Sequence, residues 1–196
     1  MNEGSTAATQ AKAKTRWQKI ARRIRVPLGF VFAAVFLWLA RPTWWSMLGS
    51  LALVLPGLWL RGYAAGYVRK NAELTTTGPY AYTRNPLYLG SMMIAVGFAA
   101  ASGRWVIPIV LAALFLAIYL PTIFSEEEFL RREFAGFDAY MAKVPRLLPR
   151  LTPARMGDTA GAFSQKLYLH HREYNASMGA VAIYAALAAR LWFLSR

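Results

Sequence analysis

The chain has 196 residues, of which 57% are hydrophobic and 16% charged; 23 Lys and Arg stand against nine Asp and Glu, a net charge of +14, and cysteine is absent. Without cysteine there is no disulfide scaffold, cysteine nucleophile or thiolate zinc site, and the apolar content excludes disorder for the bulk of the chain. The composition lies outside that of soluble globules, which run about 45–50% apolar and about 25% charged. Because the apolar residues come in long runs, the basic excess reads as that of a membrane protein's cytoplasmic loops rather than as a nucleic-acid footprint.

Residues 1–15 are small and polar and read as a tail. Residues 16–25 are basic, with Trp17, Ile20 and Ile24 at helical spacing, which suits an interfacial helix on an anionic surface or a plain basic anchor. Pro27 to Ala40 is an uncharged run, short against the usual span of about 20 residues. Arg41-Pro42 closes it, and Trp44-Trp45 read as interfacial aromatics. A second run starts at Trp44 and continues to Val68. It carries Arg61, which either snorkels toward the cytoplasmic side, the favoured reading, or faces a polar cavity.

Residues 69–86 form a polar loop in which Asn85-Pro86 turns the chain away from helix before the next segment. Leu87 to Ala101 is a third run, Ser102-Gly103-Arg104 a tight turn, and Trp105 to Phe124 a full-length fourth run. Residues 125–150 read as amphipathic, 151–174 as a basic irregular stretch, and Asn175 to Leu194 as an Ala-rich fifth run. The expected fold is all-α, a polytopic transmembrane bundle of about five spans with a cytoplasmic amphipathic helix. Its parts are a tail and interfacial helix (1–25), a membrane core (26–150), and a basic linker with a last span (151–196).

With the amino terminus inside, eighteen Lys and Arg fall on the inner side and three on the outer side. Such a bias sets orientation, so the expectation is a multi-pass integral membrane protein with a cytoplasmic amino terminus, in the inner membrane if the cell is bacterial. The stretches 69–86 and 125–150 then share one membrane face.

Two groups of residues on that face bear chemistry. Ser125 and Glu128 match a capping box, S-x-x-E, at a helix start. Glu126 lies four residues before Leu130 on the stripe Leu130, Phe134, Phe137, Met141, with Glu127 at its edge, so Glu126 is expected on the buried side, where a carboxylate needs a cationic partner. The other group is Gly78 to Gly90, GPYAYTRNPLYLG. It reads either as an aromatic belt with a turn or as a binding loop, in which Arg84 offers a donor fork, Asn85 a donor and an acceptor, and Gly90 room for close approach. His170 and His171 are adjacent and face different ways, and no metal site is legible. No nucleophile elbow, phosphate loop or dinucleotide fingerprint is present.

GPYAYTRNPLYLG, the Glu126-Glu127 pair with Leu130 and Phe134, and Tyr140 with Val144-Pro145-Arg146 together resemble the isoprenylcysteine carboxyl methyltransferase and phospholipid methyltransferase group of integral membrane enzymes. The resemblance covers residues 72–150. It implies S-adenosyl-L-methionine as cofactor, held at the cytoplasmic surface. Carried over by position, the cofactor-binding residues are Tyr82, Arg84, Asn85, Pro86, Tyr88, Gly90, Glu126, Glu127, Tyr140 and Arg146; no catalytic base is named. Asn85 stands where many members have His, and Leu120 to Phe124 lacks the Arg that eukaryotic carboxyl-methylating members carry before the acidic pair. The implied partner is a lipidic or isoprenoid-like acceptor, with no nucleic acid. Two alternatives remain: a membrane reductase of the sterol-reductase type using reduced nicotinamide, and a non-enzymatic membrane scaffold.

Overall fold

The computed structural model describes residues 33–69, 72–156 and 161–195. The tail, the helix expected over 16–25 and the first part of the 27–40 run lie outside these residues. The described part of that run is helical over 33–39 (α1) and belongs to a unit separate from residues 40 onward.

From there the elements are α2 (Trp44–Ala65), a 3-10 turn (Gly78–Ala81), α3 (Pro86–Ala101), α4 (Val106–Leu114), a π-turn (Phe115–Tyr119), α5 (Leu120–Glu133), α6 (Phe137–Lys143), α7 (Gln165–His170) and α8 (Tyr174–Leu194). The protein is an all-α, polytopic membrane bundle, and no strand occurs among the described residues. Three helices there are long and apolar enough to cross a membrane: α2, the continuous helix Val106–Glu133, and α8; α3 is apolar but has only 16 residues.

Helix α2 starts where it does because Thr43 and Ser46 cap it reciprocally: the Ser46 N–H donates to Thr43 Oγ1 (3.0 Å) and the Thr43 N–H to Ser46 Oγ (2.9 Å). Such a pair satisfies two of the donors that a helix start leaves free. The Arg41 N–H donates to the Ser102 carbonyl (2.8 Å), tying the turn between α3 and α4 to the same end. That turn needs Gly103, whose φ is +63°.

Helices α2 and α3 pack through glycines. A Cβ built on Gly57 would lie 2.8 Å from the Gly90 carbonyl oxygen, and one on Gly97 would lie 2.5 Å from Val54 Cγ2. Small residues let helix backbones approach this closely within a membrane. The close approach expected at Gly90 is that of the α2 backbone: its own Cβ would meet Arg61 Cγ at 2.7 Å and the Gly57 carbonyl oxygen at 2.8 Å.

Two expectations are corrected. Arg61 does not snorkel. Its guanidinium grips Glu173 at the start of α8 (Nε to Oε2 3.0 Å, Nη2 to Oε1 2.9 Å) and also donates to the Ser91 hydroxyl on α3. A carboxylate partner within the protein removes the reason to reach for water. Nor does a helix begin at Ser125. The fourth run continues without interruption through the π-turn to Glu133, so the N–H groups near Ser125 already have intrahelical partners and a cap has nothing to satisfy. Instead, the Ser125 hydroxyl donates to the Thr122 carbonyl (2.9 Å) and Glu128 pairs with Arg132 one turn on (2.7 Å). The π-turn ends two residues before Pro121, which offers no N–H to the carbonyl of Ala117 and whose ring would clash with that carbonyl in an ordinary α-turn.

Replacing Gly90 by Leu should lower stability by about 1–3 kcal/mol, the usual cost of forcing bulk into a packed contact. Gly49→Ala, with nothing within 4 Å of its Cβ, should be neutral or stabilising. Thermal unfolding of the two variants in detergent checks the contrast.

Candidate functional site

The continuous helix that ends at Glu133 places Ile123 and Glu127, four residues apart, on its inward face; Ile123 is fully buried and Glu127 is 6% exposed. Glu126 is exposed. This reverses the expectation that Glu126 lies on the buried stripe. The register is set by the span entering from Val106 and not by a helix beginning at Ser125. The stripe also breaks: Phe134 is extended, and α6 starts anew after Gly136. Leu130, Phe137 and Met141 still pack together, around Tyr140, Val144 and Ala154.

The Glu127 carboxylate gathers two distant segments. Its Oε1 accepts from Asn85 Nδ2 (3.1 Å); its Oε2 accepts from Arg146 Nε (3.0 Å) and lies 2.9 Å from Arg146 Nη2 and 3.4 Å from Arg84 Nη1. Asn85 Nδ2 also donates to the Arg146 carbonyl (3.1 Å). Asn85 is the N-cap residue of α3, yet its side chain caps nothing. An asparagine at that position ordinarily gains about 1 kcal/mol by capping; here it is committed to the carboxylate instead. Pro86, at the first position of α3, needs no partner for its nitrogen.

Arg84 is the distinctive group. Its side chain is buried beside Glu127, but neither Nε nor Nη1 has a hydrogen-bond partner among the described residues. The 3.4 Å approach of Nη1 to Glu127 is an ion contact without a directed hydrogen bond. Burial pulls the Arg84 pKa below the usual arginine range; Glu127 opposes that shift and Arg146 adds to it. The guanidinium is thus short of acceptors: two buried or half-buried cations share one carboxylate.

Glu126 has the complementary imbalance. Its Oε1 accepts the Tyr88 hydroxyl (3.0 Å), and it has no ion-pair partner among the described residues. Tyr88 sets its ring edge-on to Tyr119 (5.9 Å between centroids), and Tyr119 stacks on Phe115 (6.0 Å), so an aromatic row runs from Glu126 along the π-turn.

The other expected residues are structural in their contacts. The Tyr140 hydroxyl donates to the Tyr80 carbonyl (2.7 Å) inside the core, and burial raises the pKa of both phenols. Tyr82 exposes its ring, while its carbonyl accepts from the Arg150 N–H (2.9 Å). Two participants were not among the expected site residues, Thr83 although it lies inside the Gly78–Gly90 motif and Phe124 outside any motif. Thr83 donates to the Arg146 and Leu147 carbonyls (3.2 and 3.1 Å), and the Phe124 ring lies 4.3 Å from Arg146 Cζ. Among the described residues no group of three or more His, Asp or Glu converges.

A model of phospholipid methyltransferases matches residues 28–136, a stretch that holds the Arg84 loop and both glutamates. The chain belongs to the phospholipid methyltransferase family. Two curated relatives are similar. The nickel-cobalt-cadmium resistance protein NccN of Alcaligenes xylosoxydans xylosoxydans is 36% identical over 126 residues, 62% of this chain and 58% of that protein. The cobalt-zinc-cadmium resistance protein CzcN of Cupriavidus metallidurans is 34% identical over 137 residues, 65% of this chain and 62% of that protein. The chain thus spans about three fifths of the length of the curated relatives it matches. No solved structure matches. The family match ends before Tyr140 and Arg146, so the Arg146 arm of the carboxylate cluster lies beyond it.

Removing the Glu127 carboxylate strands Arg84 and Arg146. Glu127→Ala should therefore cost about 3–5 kcal/mol of stability, as breaking a buried pair does, whereas Glu126→Ala should stay within about 0.5 kcal/mol. Chemical unfolding in detergent separates the two.

Proposed function

We propose that this family member transfers a methyl group from S-adenosyl-L-methionine to a lipidic or isoprenoid-like acceptor at the cytoplasmic membrane surface. One observation carries the reading: the site holds a buried guanidinium, Arg84, with two donors that make no hydrogen bond, and an exposed carboxylate, Glu126, that accepts only the Tyr88 hydroxyl and has no ion pair among the described residues. That pair complements the carboxylate and ammonium of an amino acid, the end by which this cofactor differs from a simple nucleoside. Charge-assisted hydrogen bonds of this kind are short and about twice as strong as neutral ones. A donor of this class supplies an electrophilic methyl group on a sulfonium. The chain's part is to hold and align. Arg84 would receive the carboxylate, Glu126 the ammonium, and the rings of Tyr88 and Tyr119 can face a cation. Asn85 and Arg146 would act through Glu127, keeping the loop in register, and Tyr140 through Tyr80. Alignment at near-attack distance is worth much of such a displacement barrier.

The charge bias of the loops supports an inside amino terminus, which puts the site where a soluble cofactor arrives from water and a lipid acceptor arrives sideways from the bilayer. Both curated relatives are named for metal resistance. We carry that to this chain as an effect of the methylated product, since the chain lacks cysteine and the described residues lack a cluster of three or more metal-ligating His, Asp or Glu.

Calorimetric titration of S-adenosylhomocysteine into the detergent-purified protein tests the reading. Binding should fall about tenfold to a hundredfold in Arg84→Ala, the cost of losing charged hydrogen bonds, and in Glu126→Ala, whose fold is kept. No binding to the parent protein, or unchanged binding in both variants, contradicts it. A thermal shift with reduced nicotinamide dinucleotide instead would favour the reductase reading.

A further inference from the structure

Between α6 and α7 the chain is zipped along the loop that carries Arg84. The Arg84 N–H donates to the Pro145 carbonyl, the Arg150 N–H to the Tyr82 carbonyl and the Ala154 N–H to the Ala81 carbonyl, each at 2.9 Å. Val144 and Ala154 are buried in the core around Tyr140, so both ends of the segment are anchored. Pro145, Pro149 and Pro153 stiffen what lies between. On this fixed segment two leucines touch almost nothing: Leu148 is 79% exposed and Leu151 is 100% exposed.

Cations flank them. Arg150 donates to the Lys143 carbonyl (2.5 Å), which brings two basic residues to the tip, and Arg155 follows on an exposed position. Three carboxylates nearby are already engaged, Glu127 with Arg84 and Arg146, Glu128 with Arg132, and Asp138 with Arg131. Lys143 and Arg155 have no carboxylate partner among the described residues. The segment follows α6, close after the point at which the long apolar helix ends. Apolar side chains held outward with a basic rim are the pattern of a surface that enters an anionic interface, where basic residues are attracted to headgroup charge.

We propose that the Lys143–Arg155 segment is a wedge that docks on anionic lipid headgroups. Leu148 and Leu151 enter the apolar edge of the leaflet, and Lys143, Arg150 and Arg155 take the headgroup phosphates. The proposal does not depend on the methyl-transfer reading.

Because the chain has no cysteine, a single Leu151→Cys variant of the full chain takes one bimane label at a position that makes no packing contact. The labelled protein is placed in nanodiscs of phosphatidylcholine alone or mixed with phosphatidylglycerol. Expected in the mixed discs are a blue shift of emission and a loss of acrylamide quenching, both reversed by high salt and by Arg150→Glu with Arg155→Glu. Leu148→Cys should report the same. Water-like emission from both positions in both lipids would overturn the docking. A blue shift of equal size in both lipids, unmoved by charge reversal, would overturn the anionic headgroup as the partner.

Discussion

A carboxylate buried near the end of an apolar helix is costly unless cations and donors meet it. Glu127 meets that condition with groups from two loops that are far apart in sequence. Asn85 and Arg84 come from the segment before α3, and Arg146 comes from the segment after α6. The condition works in both directions: the loops hold the charge, and the charge holds the loops. It also leaves a remainder, because one carboxylate cannot satisfy two guanidinium groups. In the proposed reading, the buried donors that Arg84 leaves unused among the described residues would be taken by the carboxylate of the cofactor.

The bundle keeps that arrangement in place from both sides of α3. Glycine contacts bring α2 against one face, and Arg61, held by Glu173 and Ser91, joins α2, α3 and α8 at the same level. The first turn of α3 carries Asn85 at its cap and Tyr88 one turn on, so the helix that anchors Glu127 through Asn85 also orients Glu126 through Tyr88. The segment after α6 closes the remaining side with backbone hydrogen bonds, which do not depend on side-chain identity at positions 145 to 154. Its exposed leucines are therefore free to serve the membrane while its backbone serves the loop.

Much of this was legible in the sequence because it rests on patterns with a physical period. Apolar runs predicted α2, α3, the Val106 helix and α8, and Asn85-Pro86 predicted where α3 begins. The convergence of Arg84 with the acidic pair followed from loop charge bias, which puts both polar stretches on one face. Other features were not legible. Which glutamate is buried depends on helix phase. That phase is inherited from a span that runs on past Phe124 through a π-turn, and an S-x-x-E signature looks the same whether or not a helix starts there. Arg61 read as a snorkelling residue because Glu173 lies 112 positions away. Nothing singled out Thr83 within its loop or Phe124 at the end of its run, because their contacts exist only once the Arg146 segment is folded against them.

The spare donors of Arg84 decide whether this site holds the cofactor by its amino-acid end. The most direct measurement is an experimental structure of the protein with S-adenosylhomocysteine. The ligand's carboxylate should lie within hydrogen-bond distance of Arg84 Nε and Nη1, with the Asn85–Glu127–Arg146 contacts intact around it. A bound ligand whose carboxylate lies away from Arg84, or an Arg84 whose donors are filled by the protein itself in that complex, would contradict it.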